Sequence, residues 1–246
     1  MKTVGIIGCG AIGTLVAQAV ERGIVKSDGL ILYDYNLEKM ERLQRLLNIP
    51  SKIVRNVDDM IKLKPIVIVE AASQQAVREY IDRILAKNVE LIIMSVGALL
   101  DLNTKSNKVH FASGAIGGLD AISSAALAGI DEIILTTRKS PRILNADSKQ
   151  QTLVYEGNAK EAVKLFPREM NVAATLALVA GTEKVRVRVM SDPEVDRNVH
   201  EIKVIWKHGD MFLRFENEPH PENPGTSALA AWSAIELLKE LLERRV

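Results

Sequence analysis

The spacing of apolar residues changes character once along this chain, near Val109. Before that point, short continuous apolar runs alternate with stretches in which apolar residues recur every three or four positions. Thr3 to Gly8 is a β-branched run, and Ile12, Leu15, Val16, Ala19 and Val20 then fall at i, i+3, i+4, i+7 and i+8, which predicts a strand followed by a helix. Leu30 to Tyr33 reads as a second strand, and Asn36 is placed to cap a helix whose apolar stripe is Leu37, Met40, Leu43 and Leu47. Ser51 to Val54 is a weaker strand and Ile66 to Val69 a strong one. Ser73 caps a helix carrying Val77, Tyr80, Ile81, Ile84 and Leu85, after which Leu91 to Met94 reads as another strand. Strands that are apolar throughout, separated by amphipathic helices, are what a parallel sheet covered on both faces requires. The expected fold class is α/β, a doubly wound parallel sheet over residues 1–107.

Beyond Val109 the strands alternate apolar and polar residues, the pattern of a sheet with one buried and one wet face. Val185, Val187 and Val189 point one way and Arg186 and Arg188 the other. Val199 to Lys207 alternates likewise, His208, Gly209 and Asp210 turn the chain, and Met211 to Phe215 returns as a hairpin partner. Pro219, Pro221 and Pro224 then argue against regular structure until Thr226 caps a last helix, 226–243. One placement for that helix is back against the first domain. Residues 108–225 are therefore expected to form a second, α+β domain with a mixed or antiparallel sheet, serving substrate binding and dimerisation.

Charge narrows the partners. Lys plus Arg number 32 and Asp plus Glu 31, so no large net field favours nucleic acid or an anionic membrane surface. A small-molecule ligand is the expectation. The single cysteine, Cys9, has no intrachain partner for a disulfide, and no zinc-type Cys/His spacing occurs; both fit a cytoplasmic protein without a metal. No apolar run approaches the ~20 residues of a membrane span, and no secretory leader pattern opens the chain.

The first strand and helix are joined by Gly8, Gly10 and Gly13 in the spacing G-x-G-x-x-G. At a strand-to-helix junction these glycines permit a tight turn, close approach of a pyrophosphate and close helix packing. The helix start, Ala11 and Ile12 included, offers unpaired N–H groups to the phosphates. Asp34 closes the second strand, 21 residues beyond Gly13, where an acid accepts hydrogen bonds from the adenosine ribose. This is the Rossmann dinucleotide pattern. A carboxylate at that point favours NAD, with NADP open through Lys39. Two further loops follow buried strands at the crevice edge, and Ala72, Ser73, Ser95 and Gly97 are candidates for the nicotinamide side. No phosphate-binding loop of the G-x-x-x-x-G-K-[ST] type is present, and Cys9 reads as a small filler between glycines.

Removing a hydride from an amine or alcohol carbon also requires a proton acceptor, and histidine suits that work near neutral pH. Of four histidines, His208 falls in a turn, His220 among prolines and His110 in a short strand. His200 follows a polar segment and shares a strand face with Ile202, Val204 and Trp206, so it is either a core histidine or the proton-handling group, with Asn198 placed to orient it. Arg138, Lys139 and Arg142 are candidate anchors for a substrate carboxylate.

Five segments together resemble the L-aspartate dehydrogenases of archaea and bacteria: Gly8–Gly13, Ser113–Asp120 (SGAIGGLD), Asn171–Leu178 (NVAATLAL), Asn198-Val199-His200 and Asn223–Ser227 (NPGTS). The resemblance spans nearly the whole chain. It implies a homodimer that oxidises L-aspartate with NAD or NADP to iminoaspartate, which hydrolyses to oxaloacetate and ammonia or feeds NAD biosynthesis. It also implies that His200 is the catalytic histidine and that Ala115 and Asn171 contact the cofactor. Gly225 stands where the family pattern leads to a basic residue, so the cation for that carboxylate comes from elsewhere or the substrate differs. A reductase of the homoserine dehydrogenase type and a non-catalytic NAD sensor are the competing readings.

Overall fold

The computed structural model describes residues 2–244 apart from 103, 105, 145, 221 and 222. The chain divides into two compact units, one of Met1–Ala98, Leu102–Ala112 and Ala231–Val246, the other of Leu99–Asp101 and Ser113–Ala230.

In the first unit β1 (Thr3–Ile7), α1 (Ala11–Glu21), β2 (Gly29–Tyr33), α2 (Leu37–Arg45) and β3 (Ser51–Ile53) are followed by α3 (Val57–Lys62), β4 (Val67–Glu70), α4 (Gln74–Leu85), β5 (Glu90–Ile93) and β6 (Val109–Phe111). The strands make one parallel sheet in the order β3-β2-β1-β4-β5-β6. Every residue of β2, β4 and β5 is buried, as a sheet covered on both faces demands. Side chains cap three of the helices: Asn36, Asn56 and Ser73 accept from the backbone N–H of Lys39, Asp59 and Ala76, each worth about 1 kcal/mol. The strand order reverses between β1 and β4, so a crevice opens beyond the carboxyl ends of those two strands. Two details depart from the hydrophobic reading. β6 lies beyond residue 107 yet pairs with β5 in this sheet, and β4 runs on to the charged Glu70.

The second unit holds α5 (Leu119–Ala128), β7 (Ile130–Lys139), α6 (Pro141–Leu144), β8 (Thr152–Asn158), α7 (Ala159–Leu165), α8 (Asn171–Ala180), β9 (Val185–Ser191), β10 (Asn198–Trp206) and β11 (Gly209–Asn217). Its five-stranded sheet has the order β11-β10-β7-β9-β8 and is mixed: β7 and β9 are parallel, the other neighbours antiparallel. Helices α5, α7 and α8 pack on the sheet. On β7 the side chains of Ile133, Leu135, Thr137 and Lys139 are buried, while Ile134, Thr136 and Arg138 between them are partly exposed. β10 and β11 form the expected hairpin, but it turns at Lys207–His208, so that Gly209 and Asp210, read as turn residues, already pair with Trp206 and Ile205. The clear buried/exposed alternation on β10 holds through Val204; at the strand's end the pairing with β7 skips Asp131, and Trp206 is half-buried.

The proline-rich stretch was expected to be irregular. Instead β12 (Pro219–His220) pairs with β13 (Asn223–Ser227), a two-stranded sheet short enough to tolerate residues that cannot donate. The last helix, α9 (Ala228–Glu243), consequently starts two residues after Thr226, and from Ala231 onward it belongs with the first unit. Among the described residues, no helix is long and apolar enough to cross a membrane.

Candidate active site

The glycine turn of the first unit has the shape that a dinucleotide needs. Gly8 adopts φ +97°, a region that side chains rarely enter, and a Cβ there would stand 2.5 Å from the Ala71 carbonyl oxygen. A Cβ on Gly13 would collide with the Gly8 carbonyl, so α1 sits as close to the turn as it does only because that residue is glycine. Gly10 differs: a Cβ there would meet nothing within 4 Å, which leaves open space in front of the turn. Gly10 is also the N-cap of α1 and supplies no side-chain cap. The first-turn N–H groups of Ala11, Ile12 and Gly13 therefore offer donors to a phosphate.

Asp34, directly after β2, binds this turn from the side. Its Oδ2 accepts the Cys9 N–H at 2.8 Å and its Oδ1 the Asn36 N–H at 2.9 Å. The carboxylate keeps further lone pairs for a ribose hydroxyl. Cys9 is buried, and burial with the nearby Asp34 charge pushes its thiol up to about 12, consistent with a filler and not a nucleophile.

The loops after β4 and β5 are organised by a residue that periodicity did not single out. Glu70, only 2% exposed, accepts the N–H groups of Ala72 (2.8 Å) and Ser73 (2.9 Å) and both the N–H (3.1 Å) and the hydroxyl (2.9 Å) of Ser95. The Ser73 hydroxyl accepts the Ala76 N–H, capping α4. Gly97 is buried within the 3-10 turn Val96–Leu100. A charged residue closing an apolar strand at the crevice edge was the available signal.

In the second unit His200 lies in the middle strands, opposite Thr137 of β7 and Phe215 of β11. It is 3% exposed, and its Nδ1 lies 3.1 Å from the Thr137 hydroxyl. Thr137 thus holds the ring, and Asn198 is fully buried two residues earlier on the same strand. A hydroxyl partner suits either neutral tautomer, so Nε2 can carry or accept the proton. Lys139 follows Thr137 by two residues on the same face of β7 and is 1% exposed. Burial and the Lys139 charge push the His200 imidazole down to about 3, so it is neutral at physiological pH. Burial likewise draws Lys139 down to about 8, opposed by the Glu169 carboxylate. The chain around Lys139 is fixed, since its carbonyl accepts the Asp192 N–H at 2.9 Å.

The neighbouring cations are differently placed. Arg138 is engaged with Glu201 at 3.3 Å and Arg142 is exposed. Of the other histidines, His110 pairs with Glu90 at 2.8 Å and His208 packs edge-on to Trp206. Ala115 is buried in the loop before α5, where its carbonyl accepts from Asn217 at 2.9 Å, and Asn171 opens α8. The structure therefore assembles Gly8, Gly10, Ala11, Ile12, Gly13, Asp34, Ala72, Ser73, Ser95 and Gly97 on one unit, and Ala115, Asn171, Asn198 and His200 on the other.

Residues 8–114 match the family described as homoserine dehydrogenase, NAD binding domain. With the glycine turn and Asp34, this defines an NAD(P)-dependent dehydrogenase built on a Rossmann domain. Residues 120–241 match aspartate dehydrogenase, C-terminal. The chain is 40% identical to an L-aspartate dehydrogenase of Methanosarcina barkeri, covering 98% of this chain and 97% of that one. It is 41% identical to one from Archaeoglobus fulgidus, covering 98% of each. Among solved structures it is similar to aspartate dehydrogenase from Thermotoga maritima, with TM-score 0.78 and 32% identity over 98% of this chain and 97% of that one. The chain belongs to the L-aspartate dehydrogenase family.

Proposed function

We propose that this protein oxidises L-aspartate at its α-carbon, giving iminoaspartate that water converts to oxaloacetate and ammonia. The observation that carries the reading is the buried pair on the second unit, a neutral imidazole at His200 beside a buried ammonium at Lys139. NAD(P), when bound, accepts the hydride. Backbone N–H groups around Gly8, Gly10, Ala11, Ile12 and Gly13 hold the pyrophosphate and Asp34 the adenosine ribose, which favours NAD over NADP. Ala72, Ser73, Ser95 and Gly97 border the nicotinamide half, and Ala115 and Asn171 complete the cofactor contacts by resemblance.

Lys139 makes a charge-assisted hydrogen bond to one substrate carboxylate, taking the part of the basic residue absent at Gly225. That contact has a second effect. The Lys139 charge depresses His200 in the empty site, and a carboxylate beside Lys139 offsets this charge, so the imidazole becomes a better base when substrate arrives. His200 takes the proton that the α-amine loses, and later assists the water that hydrolyses the imine. Thr137 holds the ring, and Asn198, buried two residues earlier on β10, helps to orient it. The reading places the protein in the cytoplasm, feeding NAD biosynthesis, as a homodimer. The second face of the five-stranded sheet supports dimerisation: Phe212 is 64% exposed there, and light scattering of the purified protein tests it.

The deciding experiment follows NADH formation across a panel of amino acids that includes aspartate and homoserine. Aspartate is the expected substrate. His200→Ala lowers its turnover by about a hundredfold or more while NADH binding persists. Binding of NADH without turnover of any amino acid would make the protein a sensor, and unchanged turnover in the variant would remove His200 from the mechanism.

A further inference from the structure

The buried Glu70 has no part in the chemistry proposed above, yet its carboxylate is the point at which two crevice loops meet. The sheet order puts β2, with the ribose acid Asp34 at its end, on one side of β1, and β4 and β5 on the other. A dinucleotide whose pyrophosphate lies over the β1 turn therefore extends its nicotinamide ribose across the ends of β4 and β5. Those ends carry Ala72, Ser73 and Ser95, and Glu70 ties all three together. The same loop abuts the phosphate turn, since the space behind Gly8 is closed by the backbone of Ala71 and Ala72.

We infer that Glu70 is a positioning residue for the nicotinamide half of the cofactor: it sets the spacing between the β4 and β5 loops and fixes the β4 loop against Gly8. This rests on the dinucleotide reading of the first unit. The chemistry of the donors explains why the residue is acidic. Three N–H groups and one hydroxyl converge on two oxygens, and an ionised carboxylate is a terminus that accepts from all of them without donating. An amide in its place must turn N–H bonds toward groups that are themselves donors, so at least one loop has to move.

A consequence for the neighbouring residues follows. The N–H groups of Ala72, Ser73 and Ser95 and the Ser95 hydroxyl already donate to Glu70, whereas the Ser73 hydroxyl accepts the Ala76 N–H and keeps its own O–H. The four groups that donate to Glu70 shape the wall of the nicotinamide site and are not its hydrogen-bond donors.

The test compares NAD with ADP, which shares the adenosine and pyrophosphate but lacks the distal ribose and the nicotinamide. Calorimetry with Glu70→Gln is expected to show NAD affinity weakened by about ten- to a hundredfold, with ADP affinity within about twofold of the parent. Equal losses for both ligands would make Glu70 a general structural staple, and unchanged NAD affinity would equally overturn the inference. Ser95→Ala, which removes a single donor to Glu70, is the second variant should Glu70→Gln not fold. It is expected to lose a few-fold in NAD affinity alone, and loss of ADP affinity in parallel would refute the proposal. Where both variants fold, the double variant is expected to bind NAD as Glu70→Gln does, because the hydroxyl acts through the carboxylate; additive losses would count against it. A parent protein that binds neither ligand would instead defeat the dinucleotide reading itself.

Discussion

Replacing Lys139 by methionine removes a buried ammonium while keeping most of the side chain's volume. The charge is costly to the fold. Lys139 titrates at about 8 in the native protein against an ordinary 10.5, so the folded chain holds this proton less tightly than the unfolded chain does. At 1.36 kcal/mol per pH unit, that difference destabilises the native state by about 3 kcal/mol wherever the amine is charged in both states. The penalty is complete below pH 8 and is relieved as pH rises through 8 toward 10.5. Lys139→Met is therefore expected to be more stable than the parent by up to about 3 kcal/mol near pH 7. Between about pH 7 and about pH 9.5 the parent gains about 2 kcal/mol relative to the variant. Urea unfolding at the two pH values measures both quantities. A Trp232→Phe background leaves Trp206, in β10, as the fluorescent reporter of the second unit. A stability difference that does not change with pH would refute the assignment of Lys139 as a charged, buried group. The same variant is expected to raise KM for aspartate, since the stabilised protein has lost the cation that holds a substrate carboxylate. Gained stability with unaltered aspartate kinetics would leave the burial argument standing and remove Lys139 from substrate binding.

Three other outcomes follow from the same structure. His200, pushed down to about 3 from an ordinary 6.5, disfavours the fold as its unfolded counterpart gains a proton, so stability falls as pH drops from 6.5 toward 3. At about pH 4.5 the parent is expected to have lost about 2 to 3 kcal/mol more than His200→Gln, and equal acid sensitivity in urea titrations would contradict it. Asp34→Ala weakens NAD more than NADP and, by freeing the Cys9 and Asn36 N–H groups, costs about 1 to 3 kcal/mol of stability; equal loss of the two cofactors in calorimetry would dismiss the ribose assignment. Cys9, with its thiol raised to about 12, is expected to resist a thiol-specific disulfide reagent in the native protein and to react on unfolding; rapid native labelling would show that the glycine turn opens.

Local spacing made much of this protein legible. Continuous apolar strands implied a parallel sheet, the G-x-G-x-x-G junction with Asp34 implied a dinucleotide crevice, and alternation from Val199 to Phe215 implied the hairpin. These follow from the period of the backbone, which a short window of residues expresses fully. The rest depended on partners far apart in sequence. Arg138 and Lys139 are adjacent cations, and a strand's period of two says that they face opposite ways but not which faces the core. Packing of α5, α7 and α8 on one side of the sheet decided for Lys139. Thr137 meets His200 because β7 pairs with β10 across 63 residues of chain. Glu70 closes an apolar strand without any periodic signal, and its four donors come from two loops brought together only when β4 and β5 pair. β6 joins the first sheet by the same kind of long-range ladder. Periodicity is a property of neighbouring residues, whereas burial and hydrogen-bond satisfaction are properties of what the folded chain places opposite them.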